Sequence, residues 1–355
     1  MFWDGIYLHG VNKMGDKLSI SIITPTYNRA DELDFLLRSI SEQTYPLENV
    51  EFIVSDDGSH DNTEKVVNKW QKKSLFDLIY IKQENKGPGA ARNHGLEKCR
   101  GDIILFIDSD CEAHPKWIEV IIETFELEDF DAFGGPDGAK DDFTILQKAI
   151  DFSMTSFFTT GGMRGHSKNM IAKFYPRTHN MGITRVVYQT VGGFGNLRHG
   201  QDIEFSNRIH KSGAKVSFIK DALVYHRRRT SLKQFMKQVF NWGVARVNLG
   251  KIDSGMLEPV HFLPSLACLF SIVTILLTLQ NGWSLLEVLL LFVSPLFILS
   301  LLGSFSKSDP RIFPFLLFVI PIQIIGYGIG FSQAFIKRFI LNKPEMIGFK
   351  KNYYK

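Results

Sequence analysis

The sequence has few cysteines, little net charge and no apolar run near its start. Three cysteines, Cys99, Cys111 and Cys268, occur in 355 residues, and an odd count without a spacing pattern is typical of neither a disulfide framework nor a zinc site. Reduced thiols suit a cytoplasmic compartment. The net charge of +4 is too small to predict nucleic-acid binding. Because the first twenty residues hold scattered charges, we expect no secretory signal and a cytoplasmic N-terminus.

What is present is two halves of unlike composition. After an N-terminal extension over residues 1–17, short β-rich runs alternate with segments of helical periodicity from residue 18 to residue 226. This alternation predicts an α/β domain with a mostly parallel, Rossmann-like sheet. Ligands in such sheets bind beyond the carboxyl ends of the strands, where polar clusters stand in this sequence.

After residue 260 the chain becomes strongly apolar. Residues 262–279, 285–303 and 312–336 carry almost no charge, and each run is long enough to cross a hydrocarbon core of ~30 Å. We expect a transmembrane region over residues 261–336; buried core helices are the alternative. Three crossings would place the basic tail, residues 337–355, outside, against the positive-inside tendency. The last run therefore either spans or is re-entrant.

A basic stretch, residues 227–260, joins the two halves. It opens with Arg227, Arg228 and Arg229 and has no acidic residue before Asp253. Cations beside apolar residues predict amphipathic helices at a membrane interface; a helix packed on the catalytic domain is the alternative. The three arginines are candidates for contact with the phosphate of a lipid or a substrate.

Short polar motifs follow one another in the first half. They are Thr-Pro-Thr-Tyr-Asn-Arg at 24–29, Ser-Asp-Asp-Gly-Ser at 55–59, a Gly-rich segment at 85–93, Asp-Ser-Asp at 108–110, Asn-Met-Gly at 180–182, Val-Gly-Gly-Phe at 191–194, Gly-Gln-Asp-Ile-Glu at 200–204 and Val-Tyr-His at 224–226. This ordered set, over residues 18–226, resembles the inverting family 2 glycosyltransferases of the GT-A fold. The resemblance implies sugar transfer from a nucleotide-diphosphate donor, a UDP- or GDP-sugar.

The resemblance assigns the donor nucleotide to the earlier motifs. It implies that Tyr27 stacks on the base, that Asp57 accepts a hydrogen bond from it, and that Arg92 reaches the base or the phosphates. The expected donor contacts also include Pro25, Asn28, Asp108 and Ser109. The Gly-rich segment lacks the Lys-Ser/Thr ending of a Walker motif, which excludes an NTPase.

Two aspartates separated by one residue, just past a buried strand, suit a divalent cation. Mg²⁺ and Mn²⁺ bind oxygen ligands and use one or two carboxylates together with substrate phosphates; a capped turn is the alternative. The resemblance implies that Asp110 is the direct ligand and that Asp108 lies near the ribose and touches the metal through water. It also makes His226 a further candidate ligand; a purely structural histidine is the alternative.

Inversion at the anomeric carbon requires a base for the acceptor hydroxyl. The family usually presents Glu-Asp at this point, whereas this sequence has Gln201-Asp202. We assign Asp202 as the general base and expect burial to raise its pKa towards the operating pH; a helix N-cap is a compatible second role. By resemblance, the sugar and acceptor pocket is bordered by Asn180, Gly192, Gly193 and Gln201.

The membrane-proximal stretch resembles membrane-bound exopolysaccharide glycosyltransferases of the succinoglycan-biosynthesis type. Gln238 is followed by Asn241 and Trp242, so the Arg of the processive Q-x-x-R-W motif is missing, which favours single-sugar transfer. We expect a multi-pass cell-membrane protein with a cytoplasmic catalytic domain that adds one hexose to a lipid-linked saccharide during polysaccharide biosynthesis or glycoprotein-glycan assembly. A polyprenyl-phosphate acceptor and a catalytically inactive membrane scaffold are the alternatives.

Overall fold

The computed structural model describes residues 18–160, 173–281 and 284–348, which form two compact units. The first contains residues 18–138 and 175–226. The second contains the described residues from 139 to 174 and from 227 onward, so one segment between strands of the first unit belongs to the second. The predicted extension over residues 1–17 and the end of the basic tail lie outside the described residues, and the domain boundaries given above stay predictions.

The first unit contains a seven-stranded and a three-stranded sheet within its described residues. The strands are β1 Ile20–Thr26, β2 Val50–Asp56, β3 Asp77–Lys82, β4 Ile103–Phe106, β5 Cys111–Ala113, β6 Ala132–Gly134, β7 Asp137–Gly138, β8 Met181–Thr184, β9 Val216–Phe218 and β10 Val224–His226. The large sheet has the order β3-β2-β1-β4-β8-β6-β9. Strands β3, β2, β1 and β4 run parallel, and β8 is antiparallel to both of its neighbours. This mostly parallel sheet confirms the predicted α/β architecture.

Helices cover both faces of the large sheet. In chain order, the α-helices within the described residues of both units are α1 Ala30–Ser41, α2 Thr63–Gln71, α3 Pro88–Lys98, α4 Trp117–Leu127, α5 Ile145–Thr155, α6 Phe157–Thr160, α7 Arg185–Val191, α8 Gln201–Lys211, α9 Leu232–Ile252, α10 Leu263–Asn281, α11 Leu285–Ser306 and α12 Phe313–Phe335. On β4, Ile103 and Leu105 join the core that contains α1, α2 and α4. Ile104 and Phe106 join the core that contains α3, α7 and α8. Burial on both faces explains why β4 is a continuous apolar run, Ile-Ile-Leu-Phe, in the sequence.

The small sheet brings together residues that are far apart in the sequence. Its order is β5-β10-β7. Strand β10 pairs with β5 so that His226 lies opposite Cys111, the residue after Asp110. On its other edge β10 pairs with β7, where Val224 lies opposite Asp137. The end of β10 is therefore adjacent both to the Asp-Ser-Asp motif and to β7.

The second unit consists of helices packed around α12. Gly326 and Gly330 of α12 leave room for Val239 and Phe240 of α9, and a Cβ atom at either glycine would overlap those residues. Glycines four positions apart allow two helices to approach closely. Helix α9 is buried from residue 243 to residue 250; its exposed residues are Lys233, Gln234, Lys251 and Ile252. The helix predicted for the membrane interface thus packs on α12 through much of its length.

Two helical stretches of the described chain are long and apolar enough to cross a membrane, judged by length and composition. They are Pro259–Gln280 and Pro310–Ile340. A third apolar stretch, Leu290–Ser306, is shorter. Little of Pro259–Gln280 is buried within the protein, and α10 and α11 expose many large apolar side chains. Of the three predicted crossings, length and composition thus support two.

A buried ion-pair cluster ties the second unit together. Asp151 of α5 is fully buried and accepts hydrogen bonds from the Arg228 guanidinium at 2.8 and 3.1 Å and from Lys307 Nζ at 2.9 Å. Arg228 is also buried, so its predicted contact with a lipid or substrate phosphate is not supported: the guanidinium offsets an internal carboxylate. Arg227 instead forms a partly exposed pair with Asp142, at 3.2 Å.

We predict that Asp151→Ala destabilises the protein by about 3–5 kcal/mol, because it leaves the buried Arg228 without its carboxylate partner. Asp142→Ala is the matched control: it removes the partner of the neighbouring, more exposed Arg227 and is expected to change stability little. Thermal unfolding of the full chain in detergent measures both. Equal melting temperatures for the two variants would contradict the prediction.

Candidate active site

Hydrogen bonds join the loops after β1 and β2 at the carboxyl edge of the sheet. Asn28 adopts a left-handed backbone conformation, with φ of 51°. Its N–H donates to Ser59 Oγ at 2.8 Å, and its Oδ1 accepts from the N–H of His60 at 2.8 Å. Asn28 thus sets the shape of the rim on which the half-buried Tyr27 stands. Pro25 lies within β1, opposite Ser55 of β2.

The paired aspartates after β2 have different tasks. Asp56 accepts from the N–H of Ser59 at 2.8 Å and from the hydroxyl of Tyr80 at 2.5 Å, and so shapes its own turn. Asp57 is buried and accepts from Gln83 Nε2 at 2.9 Å and from the N–H groups of Lys86 and Gly87 at 2.8 Å each. Asp57 therefore holds the Gly-rich segment at the start of α3.

Arg92 on α3 meets the first aspartate of the Asp-Ser-Asp motif. Its Nη2 donates to Asp108 Oδ1 at 2.5 Å, and its guanidinium lies 5.6 Å from the centre of the Phe194 ring. Within the described chain, Arg92 Nε is buried without a hydrogen-bond partner. The guanidinium thus keeps donor capacity while it binds Asp108. Ser109, between the two aspartates, is buried.

The second aspartate of the motif lies between an arginine and a histidine. Asp110 Oδ2 accepts from Arg29 Nη1 at 2.7 Å, and Asp110 Oδ1 lies 3.4 Å from His226 Nε2. The pairing of β5 with β10 causes this proximity, because Cys111 is opposite His226. The structure therefore brings together the two residues predicted as direct metal ligands.

The geometry and chemistry of this pair fit a divalent cation. A carboxylate oxygen and an imidazole nitrogen that bind one ion at ~2.1 Å each lie roughly 3.0–3.4 Å apart. Asp110, His226 and the buried Cys111 offer potential ligand atoms within 4.8 Å of one another. A carboxylate oxygen and an imidazole nitrogen are both common ligands of divalent cations in proteins, so the chemistry of the pair also fits such an ion.

Asp202 lies in the first turn of α8 and faces Arg177. Helix α8 begins after Gly200, whose φ of 81° suits glycine, so the predicted N-cap role of Asp202 is wrong. Arg177 Nη1 donates to Asp202 Oδ2 at 3.2 Å. Burial acts to raise the pKa of Asp202, but the charge and hydrogen bond of Arg177 and the charge of Arg92 lower it below its ordinary value. The expected rise in this pKa is therefore wrong.

Hydrogen bonds join the turn before α8 to α3. Asn93 of α3 accepts from the N–H of Phe194 at 2.7 Å and donates to its carbonyl at 2.9 Å. Gly193 lies so close to Asn93 that a Cβ atom would overlap the amide, and Gly192 has a φ of 76°. The Gln201 side chain lies against Gly89, which likewise leaves no room for a Cβ atom. These contacts position the loop that was predicted to border the pocket.

Asn180 is an internal anchor. It is fully buried; its Nδ2 donates to the carbonyls of Pro136 at 2.8 Å and Ala222 at 2.7 Å, and its Oδ1 accepts from Trp117 Nε1 at 2.9 Å. Both amide hydrogens and the amide oxygen are engaged in these hydrogen bonds, and the residue is fully buried, so a direct contact with the sugar is not supported. Asn180 instead fixes the segments that lead into β7 and β10.

Four residues that sequence reasoning did not select lie against those it did. They are Arg29 beside Asp110, Arg177 beside Asp202, and Asp137 and His179 beside His226. Arg29 stands inside a recognised motif, His179 immediately precedes the Asn-Met-Gly motif, and Arg177 lies three residues before that motif begins. Their positions within or near motifs could have marked these residues as candidates. Their partners could not be inferred from the sequence, because they lie 25 to 89 residues away.

Comparisons with known proteins give a consistent result. Residues 21–191 match the family described as Glycosyl transferase family 2. The chain is 30% identical over 246 residues to glycosyltransferase AglE of Haloferax volcanii, which covers 69% of this chain and 78% of that protein. It is 26% identical over 255 residues, with the same coverage, to the dolichyl N-acetyl-alpha-D-glucosaminyl phosphate 3-beta-D-2,3-diacetamido-2,3-dideoxy-beta-D-glucuronosyltransferase of Methanococcus voltae.

A solved structure shares the fold. The mannosyltransferase PcManGT from Pyrobaculum calidifontis, in complex with GDP-Man and Mn²⁺, superimposes with a TM-score of 0.59 at 17% identity. The alignment covers 87% of this chain and 88% of that chain. At this identity the similarity establishes the GT-A-like fold.

Proposed function

The chain belongs to glycosyl transferase family 2, and we propose that it transfers one hexose, with inversion, from a nucleotide-diphosphate sugar to a lipid-linked saccharide at the cytoplasmic face of a membrane. The observation that carries this proposal is the convergence of three groups at one edge of the sheet. Asp110 and His226 lie 3.4 Å apart, while Arg92 binds Asp108 and also acts electrostatically on Asp202. The candidate metal ligands Asp110 and His226, the arginine proposed to bind phosphate and the proposed base Asp202 thus lie at the same edge of the sheet.

In the proposed site, Asp110 and His226 hold a divalent cation, Mn²⁺ in preference to Mg²⁺. When bound, the cation offsets the charge of the departing diphosphate as a Lewis acid. Tyr27 stacks on the base of a UDP- or GDP-sugar, Asp57 keeps the Gly-rich segment in place beside it, and Asp108 binds the ribose. Arg92 supplies fixed positive charge near the phosphates, for which its unpartnered Nε retains a donor.

Asp202 acts as the general base in this proposal. Because its pKa is lowered, the carboxylate is ionised at neutral pH and is ready to accept the proton of the acceptor hydroxyl. A low pKa also makes it a weak base. This observation favours a second candidate, in which the acceptor is a polyprenyl phosphate: such an acceptor is already an anion and needs no strong base, and Arg177 would attract it.

Membrane attachment and a lipid-linked acceptor are further parts of the proposal. The Methanococcus voltae relative acts, by its name, on a dolichyl phosphate-linked sugar. Two apolar helical stretches, Pro259–Gln280 and Pro310–Ile340, support attachment through the second unit, as in the succinoglycan-type subgroup. Arg227 and Arg229 stay candidates for contact with lipid phosphates. The Arg of the processive Q-x-x-R-W motif is missing, which favours transfer of a single sugar.

The first test is transfer by the full chain in detergent with a panel of UDP- and GDP-sugars and lipid extract. We expect one donor to release its nucleoside diphosphate with Mn²⁺, less with Mg²⁺ and none with chelator. Asp110→Asn should reduce turnover by ~100-fold or more, because a direct metal ligand contributes at least as much as the groups that support it. Asp131→Asn, in the same unit but outside the site, should not reduce turnover. If no donor turns over, the inactive scaffold replaces the transferase.

The second test separates the two acceptors and uses the low pKa of Asp202. For a hydroxyl acceptor, Asp202→Asn should lower kcat by ~10²–10⁴-fold; near wild-type activity would favour the polyprenyl phosphate. The loss of rate that protonation of Asp202 causes should lie below the ordinary aspartate pKa of ~3.9, because Asp202 must be ionised and its pKa is lowered.

Arg177→Gln is the matched variant for that pH profile. It removes the charge that lowers the pKa of Asp202 while burial, which raises it, persists. The acid limb of kcat/KM should therefore move to higher pH. An unchanged limb would show that Asp202 ionisation does not control the rate.

A further inference from the structure

The proposed metal ligand His226 is held between two carboxylates. Its Nε2 lies 3.4 Å from Asp110 Oδ1, and its Nδ1 lies 3.4 Å from Asp137 Oδ2. We infer that Asp137 is a positioning residue, which orients the imidazole so that Nε2 is directed to the cation. This inference rests on the proposed metal site at Asp110 and His226 and extends it to residues with no assigned role.

The two ring nitrogens of a histidine ligand have opposite tasks. A histidine that binds a metal through one nitrogen usually donates the N–H of the other to a carboxylate or a carbonyl, which fixes both the tautomer and the ring orientation. Asp137 has the right chemistry and place for this task, because it accepts hydrogen bonds when ionised and stands on the Nδ1 side. With the proton on Nδ1, the lone pair of Nε2 faces Asp110.

Asp137 is itself restrained from a second side. Its side chain is 1% exposed, and its Oδ2 also lies 3.7 Å from His179 Nε2. The rings of His179 and His226 are 5.1 Å apart between centroids and tilted by 34°. A carboxylate excluded from water requires polar partners. His226 is such a partner, with Nδ1 at 3.4 Å from Asp137 Oδ2, and the ring of His179 packs beside it.

Backbone pairing and a buried amide hold Asp137, His179 and His226 close together. Strand β10 pairs with β7, so that Val224 is opposite Asp137, two residues before His226. Asn180, the neighbour of His179, binds the carbonyls of Pro136 and Ala222, just before β7 and β10. A Cβ atom at Gly135 would overlap both Ala222 and the Asn180 amide. The buried Asn180 amide therefore sets the spacing between its own segment, the segment before β7 and the segment before β10.

The test measures the affinity for Mn²⁺ itself, by electron paramagnetic resonance of free Mn²⁺. The full chain in detergent is titrated alone, with UDP and with GDP. We expect Asp137→Asn to weaken Mn²⁺ binding by ~10–100-fold, His179→Gln to weaken it less, and His226→Ala to abolish it. Asp131→Asn is the matched control, because Asp131 accepts a backbone N–H at 2.8 Å in the same unit, and it should bind Mn²⁺ as the wild type does.

Melting temperatures in chelator separate positioning from folding. If Asp137→Asn lowers the melting temperature but its folded fraction binds Mn²⁺ with wild-type affinity, Asp137 is merely structural and the inference is overturned. Two Mn²⁺ ions per wild-type chain, with the second lost in Asp137→Asn, would also overturn it, since Asp137 would then be a direct ligand. Wild-type affinity in His226→Ala would instead refute the proposed metal site on which the inference rests.

Discussion

Buried and half-buried carboxylates at the carboxyl edge of the sheet must be compensated, and much of the site's architecture follows from this constraint. A carboxylate removed from water is costly unless hydrogen bonds or cations replace the solvent. Asp57 is satisfied by the N–H groups of the segment before α3. Cationic or imidazole side chains face the others: Arg92 at Asp108, Arg29 at Asp110, His226 at Asp137 and Arg177 at Asp202.

This compensation prepares the site for a charged substrate. A diphosphate and a divalent cation bring charges of both signs, so two of the existing pairs can exchange partners as the proposed ligands bind. Arg92 can exchange Asp108 for a phosphate, and Asp110 can exchange Arg29 for the cation. Preformed side chains of this kind lower the cost of ordering a site. The proposed base is affected as well: Arg177 and Arg92 lower the pKa of Asp202, which suits proton acceptance at neutral pH but limits the basicity of this carboxylate.

Local patterns allowed much of the fold to be predicted. The α/β alternation depends on apolar periodicity within each element, and the structure has this alternation from the strand Ile20–Thr26 and the helix Ala30–Ser41 onward. Motif order also predicted Asp110 and His226, which lie side by side. The roles of Asn180 and Arg228 could not be predicted, because their partners at Pro136, Ala222 and Asp151 come from elements distant in sequence. Membership in a motif therefore predicted which residues lie at the site better than it predicted the role of each side chain.

The central claim is that Asp110 and His226 bind one cation that faces the donor diphosphate. It is tested most directly by anomalous diffraction at the manganese edge from crystals grown with MnCl₂ and the nucleoside diphosphate of the active donor. The account predicts one anomalous peak within ~2.3 Å of an Asp110 carboxylate oxygen and of His226 Nε2, in contact with the diphosphate. A peak bound elsewhere, or diphosphate held at this edge without any metal, would contradict it.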